Sequence, residues 1–574
     1  MPERTVHTTD VLIIGGGIAA AFAALKARDA GASVLLADKS FFGRSGCSAL
    51  ASGVYPTYMP GDDEQAWLRS FAGPLVNQPL VMKALPIMYE HLMLMDRCGV
   101  KWVKEEERII RLGGPGRNFD SGALMGEGGP QMMMAVRGEV LRRGVQVLSR
   151  IMITDLLTSD GCHPTGGRVV GALGFHSRTG ALHVIRAKAT IMCTGPYKFP
   201  YPKPGSLLGY MPIDLSGDGI AMMLRVGAEL SRLELGGINI YPDGLLCAPG
   251  LESLMPSGAR FVDREGRRFL EAYDPKRLEL TSRALLYFAI ATEHSQGRRP
   301  AIDLTGLPPE RAQLLAQVIP IIIQNYRTAG YDVTHDWIPY TYQVAGTSGI
   351  FGAGARITEQ GETSVPGLYA AGTCSDMAYL PGGHLPFCSV SGHWAGEQAG
   401  AEVPGMAEPS VPEAQVEALA AAALAPLGRA DGLSFEAVHE ALGQILVEEV
   451  GLVMSGTRLE RAIGRVSGLL AEQVPRLRAR DPHELAKVHA LVNYTQILEP
   501  ILRAYLYRTE SRVAFMREDF PDIDNEQWLK MVIVQRRDGA LRLWDEPIPS
   551  SFHLVPPRRT KSRHLAFRSR DGAG

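Results

Sequence analysis

The N-terminal part of the chain alternates between short apolar runs and small residues in the order strand, turn, helix, strand. The apolar runs Val11–Ile14 and Val34–Ala37 predict two strands, and the Ala-rich segment Ala19–Arg28 predicts a helix between them. Gly15–Gly17 form the turn, where glycine lets the backbone approach a pyrophosphate at the positive end of the helix. Asp38 ends the second strand and can accept hydrogen bonds from a ribose. The pattern therefore predicts a dinucleotide-binding unit.

Two later apolar segments extend this prediction. Ala187–Pro196 reads AKATIMCTGP and contains Thr194 and Gly195 near its end, and Leu368–Ala371 is followed directly by Gly372. These segments resemble the middle and late strands of flavoproteins that contain two dinucleotide-binding folds. The resemblance favours FAD over NAD as the cofactor.

Beyond this unit, the spacing of apolar residues predicts further elements. Helices are predicted for Met132–Arg143, Glu279–His294 and Pro309–Ala329, and a strand meander for Val145–Leu157 and Arg168–Val184. Loops dominate from residue 232 to residue 345, which indicates a second domain inserted into the first. Glu413–Arg508 carries Leu and Ala at helical spacing and predicts a helical bundle. Asp538–Gly539 marks the turn of a C-terminal hairpin.

The composition narrows the class of protein. The 574 residues carry a formal net charge of −2, which gives no reason to expect binding to nucleic acid or to a membrane surface. The 7 cysteines form no CxxC or CxxH pair, so iron–sulfur, zinc and dithiol sites are not predicted. No secretion signal is recognisable, and no apolar run approaches the ~20 residues that span a bilayer. We therefore expect a cytoplasmic protein that has reduced thiols and no transmembrane segment.

Taken over its length, the chain resembles the flavoprotein subunits of succinate dehydrogenase and fumarate reductase, with L-aspartate oxidase and the α subunit of adenylylsulfate reductase. The resemblance covers residues 8–401 and 412–545. Besides the segments above, it rests on SGDG at 216–219, RFVDREGRRFLEAYDP at 260–275 and TESRVAFMREDFPDIDNEQWLK at 509–530. It implies an α/β fold, in which a two-dinucleotide-binding-domain (Rossmann-like) FAD unit carries an inserted α+β capping domain and a C-terminal helical bundle.

The predicted domain boundaries follow from these segments. Residues 1–231 form the first part of the FAD-binding domain, 232–345 the inserted capping domain, 346–403 the return of the FAD-binding domain, 412–530 the helical domain, and 531–574 the C-terminal hairpin and basic tail. The tail is interpreted as solvated, with docking to an acidic partner as the alternative. The residues predicted to bind FAD are Gly15, Gly17, Ala20, Asp38, Lys39, Arg44, Ser45, Gly46, Cys47, Ser52, Gly53, Thr194, Gly195, Asp218, Gly372 and Ser389.

The chain departs from the family at positions that matter for function. In the succinate and fumarate enzymes a His carries the flavin covalently, and the matching position here is Gly46, which implies noncovalent FAD. The family's two dicarboxylate-binding His residues fall at Tyr241 and near Tyr342, and its late Arg falls near His384. An Arg that delivers the proton in the fumarate enzymes is matched by Arg283. Because His cannot reproduce the bidentate fork of Arg, succinate and fumarate are not expected to be the natural pair.

Arg283, His384, Tyr241 and Tyr342 are the candidate catalytic residues. Arg283 is predicted to share a helix face with Glu279, either as a proton relay and anion clamp or as part of an ordinary ion pair. His384 either faces the substrate or flavin, or structures its own loop. The two tyrosines either line the cavity or pack in a core.

Two further residues are assigned structural roles. Cys47 is expected to be a small filler beside the flavin, with a reactive thiol as the alternative. His393 is interpreted as a structural residue.

The leading hypothesis is an FAD-dependent oxidoreductase that oxidises a CH–CH bond of a small-molecule substrate, or reduces an activated double bond. Arg283 would exchange the proton, and His384 with the tyrosines would hold the polar end of the substrate. The alternative is a flavoprotein electron-transfer subunit that works with an iron–sulfur, ferredoxin-like partner subunit, because this chain has no cluster ligands. A noncatalytic flavin-binding scaffold is a third interpretation.

Overall fold

The computed structural model describes residues 4–72, 75–115, 119–198, 215–235, 238–245, 250–343, 353–377, 384–512, 515–550 and 558–561. The strands are β1 (Arg4–Ile14), β2 (Val34–Asp38), β3 (Val54–Pro56), β4 (Lys104–Glu105), β5 (Arg108–Ile109), β6 (Arg111–Leu112), β7 (Gly122–Leu124), β8 (Gln146–Ser149), β9 (Ile151–Thr158), β10 (Val169–His176), β11 (Leu182–Met192), β12 (Leu230–Ser231), β13 (Asn239–Pro242), β14 (Arg260–Val262), β15 (Ala301–Asp303), β16 (Ile338–Gln343), β17 (Gly354–Ala355), β18 (Leu368–Ala370), β19 (Asp522–Asp524), β20 (Lys530–Arg537), β21 (Ala540–Pro547) and β22 (Arg559–Lys561). The helices are α1 (Ile18–Asp29), α2 (Glu64–Trp67), α3 (Gln78–Arg97), α4 (Gly128–Arg142), α5 (Asp218–Val226), α6 (Leu251–Leu254), α7 (Leu270–Tyr273), α8 (Arg283–Ser295), α9 (Pro309–Val318), α10 (Pro320–Thr328), α11 (His384–Glu402), α12 (Glu413–Leu424), α13 (Phe435–Ile445), α14 (Gly456–Gly468) and α15 (Pro482–Tyr507). Most of the predicted basic tail lies outside the described residues.

The main sheet has the strand order β8-β2-β1-β11-β10-β9, with β18 as a further partner of β11. Strands β8, β2, β1, β11 and β18 pair in parallel, whereas β9 and β10 join antiparallel. Because β1 is central and covered on both faces, Val11–Ile14 is buried at every position instead of alternating. The predicted βαβ unit is therefore present, and the carboxyl ends of β1, β2 and β11 lie at one edge of the sheet.

Helix α1 packs on this sheet in close contact with helix α11. A Cβ added to Gly392 would lie 2.2 Å from the backbone oxygen of Ala19, and one added to Gly396 would lie 2.3 Å from that of Ala23. Glycine and alanine, placed one helical turn apart on the facing sides, thus let the two backbones touch. This contact fixes the N-terminal end of α1 relative to α11.

A separate antiparallel sheet, β13-β16-β15-β14, carries helix α8. The helix predicted for Glu279–His294 begins only at Arg283, because Ser282 caps it by accepting a hydrogen bond from the N–H of Leu285. The helix predicted for Pro309–Ala329 is two helices, α9 and α10. Pro320 starts the second, since proline cannot continue the hydrogen bonding of the first.

The C-terminal part consists of helices α12–α15 and the predicted hairpin. The hairpin strands β20 and β21 turn at Asp538–Gly539 and complete a sheet with the order β17-β12-β20-β21. Helix α15 packs against α5. In the portion of the chain that the structure describes, no helix combines the length and the apolar character needed to cross a membrane.

We expect Gly396→Ala to lower the free energy of unfolding by about 1–3 kcal/mol, because the new methyl group would overlap the backbone of α1. The control is Gly464→Ala in α14, where an added Cβ meets no atom within 4 Å. That substitution should raise stability by up to about 1 kcal/mol through helix propensity alone. Urea unfolding of both variants checks the prediction, and equal effects in both would contradict the close contact of α1 with α11.

Candidate active site

A cavity of about 250 Å³ lies at the edge of the main sheet where β1, β2 and β11 end. The carboxyl ends of parallel strands are the usual place for nucleotide binding in α/β folds. Helices α8 and α11 contribute further wall to this cavity. The predicted residues among its lining are Gly15, Gly17, Asp38, Lys39, Ser45, Gly46, Cys47, Ser52, Thr194, Gly195, Asp218, Arg283, Gly372 and His384.

The turn before α1 fits the pyrophosphate of a dinucleotide. Gly17 is the N-cap of α1 and has no side chain that could cap the helix, and the first turn contains no carboxylate. The positive end of the helix therefore faces the cavity. Gly15 has a φ of +117°, and a Cβ there would lie 2.2 Å from the backbone oxygen of Cys193. A side chain at Gly15 would thus be strained and would also clash with the segment that follows β11.

Asp38 ends β2 and lines the cavity beside the glycine turn. A Cβ on Gly16 would be 1.8 Å from Oδ2 of Asp38, so the turn and the carboxylate are in direct contact. The side chain is buried, and the N–H of Ser40 donates to its Oδ1 at 2.6 Å. This arrangement holds an acceptor at the cavity wall, as an adenosine ribose requires.

Lys39, the residue after Asp38, forms an ion pair with Asp218, with 2.8 Å between Nζ and Oδ2. Oδ1 of Asp218 accepts hydrogen bonds from Ser216 Oγ at 2.8 Å and from Asn493 Nδ2 at 2.9 Å. Burial favours a raised pKa for Asp218, but Lys39 and these hydrogen bonds outweigh it and hold the pKa below its ordinary value. The charged carboxylate therefore joins the end of β2 to α5 and α15.

Small residues form the part of the cavity wall that follows β2 in the sequence. Gly46, with a φ of +79°, precedes a short 3₁₀ turn at Cys47–Leu50. The N–H of Ile18 donates to Ser48 Oγ at 3.1 Å, which ties this loop to the start of α1. Burial raises the pKa of the Cys193 and Cys388 thiols, so both are protonated small fillers of the wall.

Arg283 and His384 reach the same cavity from α8 and α11, respectively. Arg283 is the first residue of α8, and its Nη1 donates to the hydroxyl of Tyr287 at 3.4 Å. Tyr287 also lines the cavity. The predicted sharing of this helix face by Glu279 is wrong, because Glu279 precedes the helix and accepts from Arg268 Nε at 3.1 Å.

Tyr241 and Tyr342 lie on β13 and β16 and do not line the cavity. Burial raises the pKa of Tyr241, whose hydroxyl has no hydrogen-bond partner in the described parts of the chain. The ring of Tyr342 packs edge-on against His294, with 5.4 Å between ring centres. His294 and Arg283 are separated by about 16 Å along α8 at the usual rise per residue. The structure therefore separates Tyr342 from the Arg283 end of the helix.

Four residues predicted to bind the cofactor are not among the lining. Ala20 is buried within α1, and Arg44 is exposed on the loop. A Cβ on Gly53 would lie 2.2 Å from the backbone oxygen of Val318, so Gly53 packs against α9. Ser389 is buried behind the wall, where its Oγ bonds to other side chains. Ala20, Gly53 and Ser389 thus support the wall from behind.

The structure adds lining residues that the sequence patterns did not single out. Ile151–Ile153 of β9, Met222 of α5 and Leu251 of α6 supply apolar wall. Lys198 is buried close behind it, and burial lowers its pKa to about 8. No local pattern marks these residues, because they come together only through tertiary packing. Within the described ranges, no group of three or more His, Cys, Asp or Glu side chains could hold a metal ion.

Comparisons with known proteins agree with the fold described above. Residues 10–390 match the FAD binding domain family, and residues 439–562 match the fumarate reductase flavoprotein C-terminal family. The chain is 27% identical over 565 residues to an uncharacterized FAD-dependent oxidoreductase of Methanocaldococcus jannaschii, covering 95% of this chain and 98% of that protein. It is 26% identical over 564 residues to one of the subunits of the fumarate reductase (CoM/CoB) of Methanothermobacter marburgensis, covering 93% and 98%. A solved structure of E. coli quinol fumarate reductase FrdA, 23% identical, superposes with a TM-score of 0.81 over 97% of this chain and 99% of that one. The fold predicted from the sequence is confirmed.

We expect Asp38→Ala to weaken FAD binding, because a hydrogen bond to a charged group contributes about 1.5–3 kcal/mol, or roughly 10- to 150-fold in Kd. Titration of the apoprotein with FAD, followed by flavin fluorescence, measures this change. The exposed Asp29, at the other end of α1, provides the control variant Asp29→Ala, which should keep the parent Kd. An unchanged Kd in Asp38→Ala would exclude a ribose contact at this carboxylate.

Proposed function

Because the chain belongs to the flavoprotein family defined by the FAD binding domain, we propose that it oxidises or reduces a carbon–carbon bond with noncovalently bound FAD. It is an FAD-dependent oxidoreductase of the succinate dehydrogenase and fumarate reductase type. The proposed reaction class rests on one observation. Arg283 lines the cavity from the first turn of α8, the helix that packs on the sheet β13-β16-β15-β14.

Noncovalent binding is proposed from the residue at the attachment position. Gly46 has no side chain that could bond to the flavin, and it lines the cavity between Ser45 and Cys47. Protonated thiols at Cys193 and Cys388 add no nucleophile to the wall. Retention of the cofactor would then depend on the helix N-terminus, Asp38 and the surrounding wall.

Bound FAD supplies hydride-transfer chemistry. The proposed role of Arg283 is to exchange a proton at the substrate carbon adjacent to the one that exchanges hydride. The hydroxyl of Tyr287 accepts from Nη1 of Arg283, which orients the guanidinium one helical turn away. Since the N-terminus of α8 adds positive potential at the same place, an anionic group of the substrate would also be attracted there.

The lining supports a substrate that differs from a C4 dicarboxylate. At the positions of three family dicarboxylate contacts the chain has Tyr241, Tyr342 and His384, and neither tyrosine lines the cavity. Of the described lining residues, Lys39 and Arg283 are the cations, and Lys39 pairs with Asp218. Apolar residues such as Met222 and Leu251 occupy other parts of the wall. We therefore propose a substrate with fewer carboxylates and a larger apolar part than succinate.

A flavoprotein electron-transfer subunit with an iron–sulfur partner is the second candidate function. It is supported by the relative from Methanothermobacter marburgensis, whose name describes one component of a larger enzyme. Native purification distinguishes the two candidates. Iron and a cysteine-rich second chain in constant ratio would favour the electron-transfer subunit, and substrate-dependent dye reduction by this chain alone would favour the first candidate.

Acid denaturation followed by filtration tests the mode of FAD binding. We expect all yellow colour to pass the filter, with the absorbance and fluorescence of free FAD, because Gly46 offers no attachment atom. A matched run with free FAD added to denatured apoprotein controls for trapping. Flavin that stays on the washed polypeptide would exclude noncovalent binding.

Arg283→Ala should slow the reaction with a substrate identified from a panel by about 10²–10⁴-fold, the usual contribution of a positioned acid or base. Stopped-flow reoxidation of photoreduced enzyme by that substrate measures the chemical step. Arg327→Ala, on the exposed side of α10, should keep the parent rate. A parent-like rate in Arg283→Ala would remove Arg283 from the chemistry, and rapid turnover of fumarate or succinate by the parent would contradict the proposed substrate class.

A further inference from the structure

Behind the cavity wall, four buried side chains form a continuous hydrogen-bonded series. It comprises Tyr55 of β3, Ser389 and His393 of α11, and His91 of α3, and is called the histidine chain below. Ser389 Oγ lies 2.9 Å from both the Tyr55 hydroxyl and His91 Nδ1. His91 Nε2 lies 3.0 Å from His393 Nδ1.

The position of each proton in the histidine chain follows from one hydrogen bond, in which the acceptor is a backbone oxygen. Ser389 Oγ donates to the backbone oxygen of Pro386 at 2.8 Å, and a serine hydroxyl has only one proton to give. Tyr55 and His91 Nδ1 must therefore both donate to Ser389. A neutral His91 then has an unprotonated Nε2, which accepts the proton on Nδ1 of His393.

This series connects two elements of the cavity wall. Val54 and Pro56, on either side of Tyr55, line the cavity, and so does Cys388, which precedes Ser389. His91 bonds to α11 through both of its ring nitrogens. Helix α3, which contributes no residue to the cavity lining, thereby holds the start of α11 and strand β3 in place.

The surroundings of the two imidazoles disfavour positive charge. Burial lowers the pKa of His91 well below its ordinary value, and His393 and Lys26 of α1 lower it further. Burial lowers the pKa of His393 to about 4, again with a contribution from Lys26. Among the described residues, the carboxylate that faces the two imidazoles is that of Glu397. Its Oε2 is 3.7 Å from His393 Nε2, and its side chain is mostly exposed. On the remaining side, the ring of Phe22 of α1 packs against His91 at 4.0 Å between ring centres.

We propose that His91 and His393 are positioning residues that hold the FAD wall closed only while the pair carries at most one proton more than its neutral form. A first added proton can reside on Nε2 of His393, facing Glu397, and leaves the bond between the rings intact. A second added proton would place N–H groups on both facing nitrogens and two adjacent cations in a buried site. The wall then separates and FAD leaves.

The direction of the pH effect follows from proton linkage. When the wall is open, both histidines return towards their ordinary pKa near 6.5, whereas in the closed wall the pKa of His393 is about 4 and that of His91 lies well below its ordinary value. Retention of FAD by this pair is therefore complete above about pH 6.5 and is lost as the pH falls towards 4. The FAD Kd rises as the pH falls. Each histidine that gains a proton on opening adds up to about tenfold per pH unit to this rise.

The test compares the pH dependence of FAD release in the holoprotein and two variants. His393→Asn keeps a donor at the place of Nδ1 but cannot titrate. It should retain FAD near pH 7.5. As the pH falls from 6.5 to 4.5, its Kd should rise less steeply than that of the parent, and the difference should be about tenfold per pH unit. If that variant does not fold, His393→Gln replaces it, because its side chain cannot titrate either.

The chain contains a matched control pair. His7 Nε2 and His183 Nδ1 are also 3.0 Å apart, on β1 and β11 far from the ends that line the cavity. His183→Asn should leave the slope of log Kd against pH unchanged. Flavin fluorescence reports release, and far-UV circular dichroism reports unfolding. The proposal is overturned by a parent-like slope in the position-393 variant, by equal flattening in His183→Asn, or by FAD release that coincides with loss of secondary structure in the parent.

Discussion

Two helices whose backbones touch determine where the walls of the flavin cavity stand. Glycines spaced four residues apart on α11 face alanines of α1 without intervening side chains. The start of α1 lines the cavity and would hold the pyrophosphate of FAD, and the start of α11 contributes His384 and Cys388 to the wall. Since both helix starts serve the same ligand, a shift of either helix would change the width of the cavity. The packing of α1 against α11 therefore sets the frame of the site, and the other contacts join further parts of the chain to these two helices.

Electrostatic contacts then join this frame to distant parts of the chain. Asp218 binds Lys39 from the end of β2 and Asn493 from α15, so three segments meet at one buried carboxylate. Arg225 on the same helix α5 contacts Asp155 of β9 and Asn493. Buried ion pairs contribute modestly to stability, but their geometry allows few alternative arrangements. The C-terminal helices are thereby held against the back of the cofactor site.

The parts of the fold that could be predicted from the sequence are those encoded within short segments. The strand, glycine turn, helix and acid around Asp38 form one local unit, and the hairpin turn at Asp538–Gly539 is equally local. The start of α8 was predicted too early, because the capping role of Ser282 competes with helical spacing that would include Glu279. The placement of Ser389 depends on Tyr55 and His91, which are far away in sequence and leave no periodic signal. The distance of Tyr342 from Arg283 likewise depends on how a sheet packs on a helix, which a motif match does not specify.

The order of these segments along the chain has a consequence for biosynthesis. The lining of the cavity runs from Ile14 to Cys388, and β18 must pair with β11 before the main sheet is complete. When the turn Gly15–Gly17 leaves the ribosome, most of the residues that surround it in the folded protein have not yet been translated. The cofactor therefore meets a finished pocket only late in synthesis, and the nascent chain must keep the apolar faces of β1 and α1 from aggregating until then.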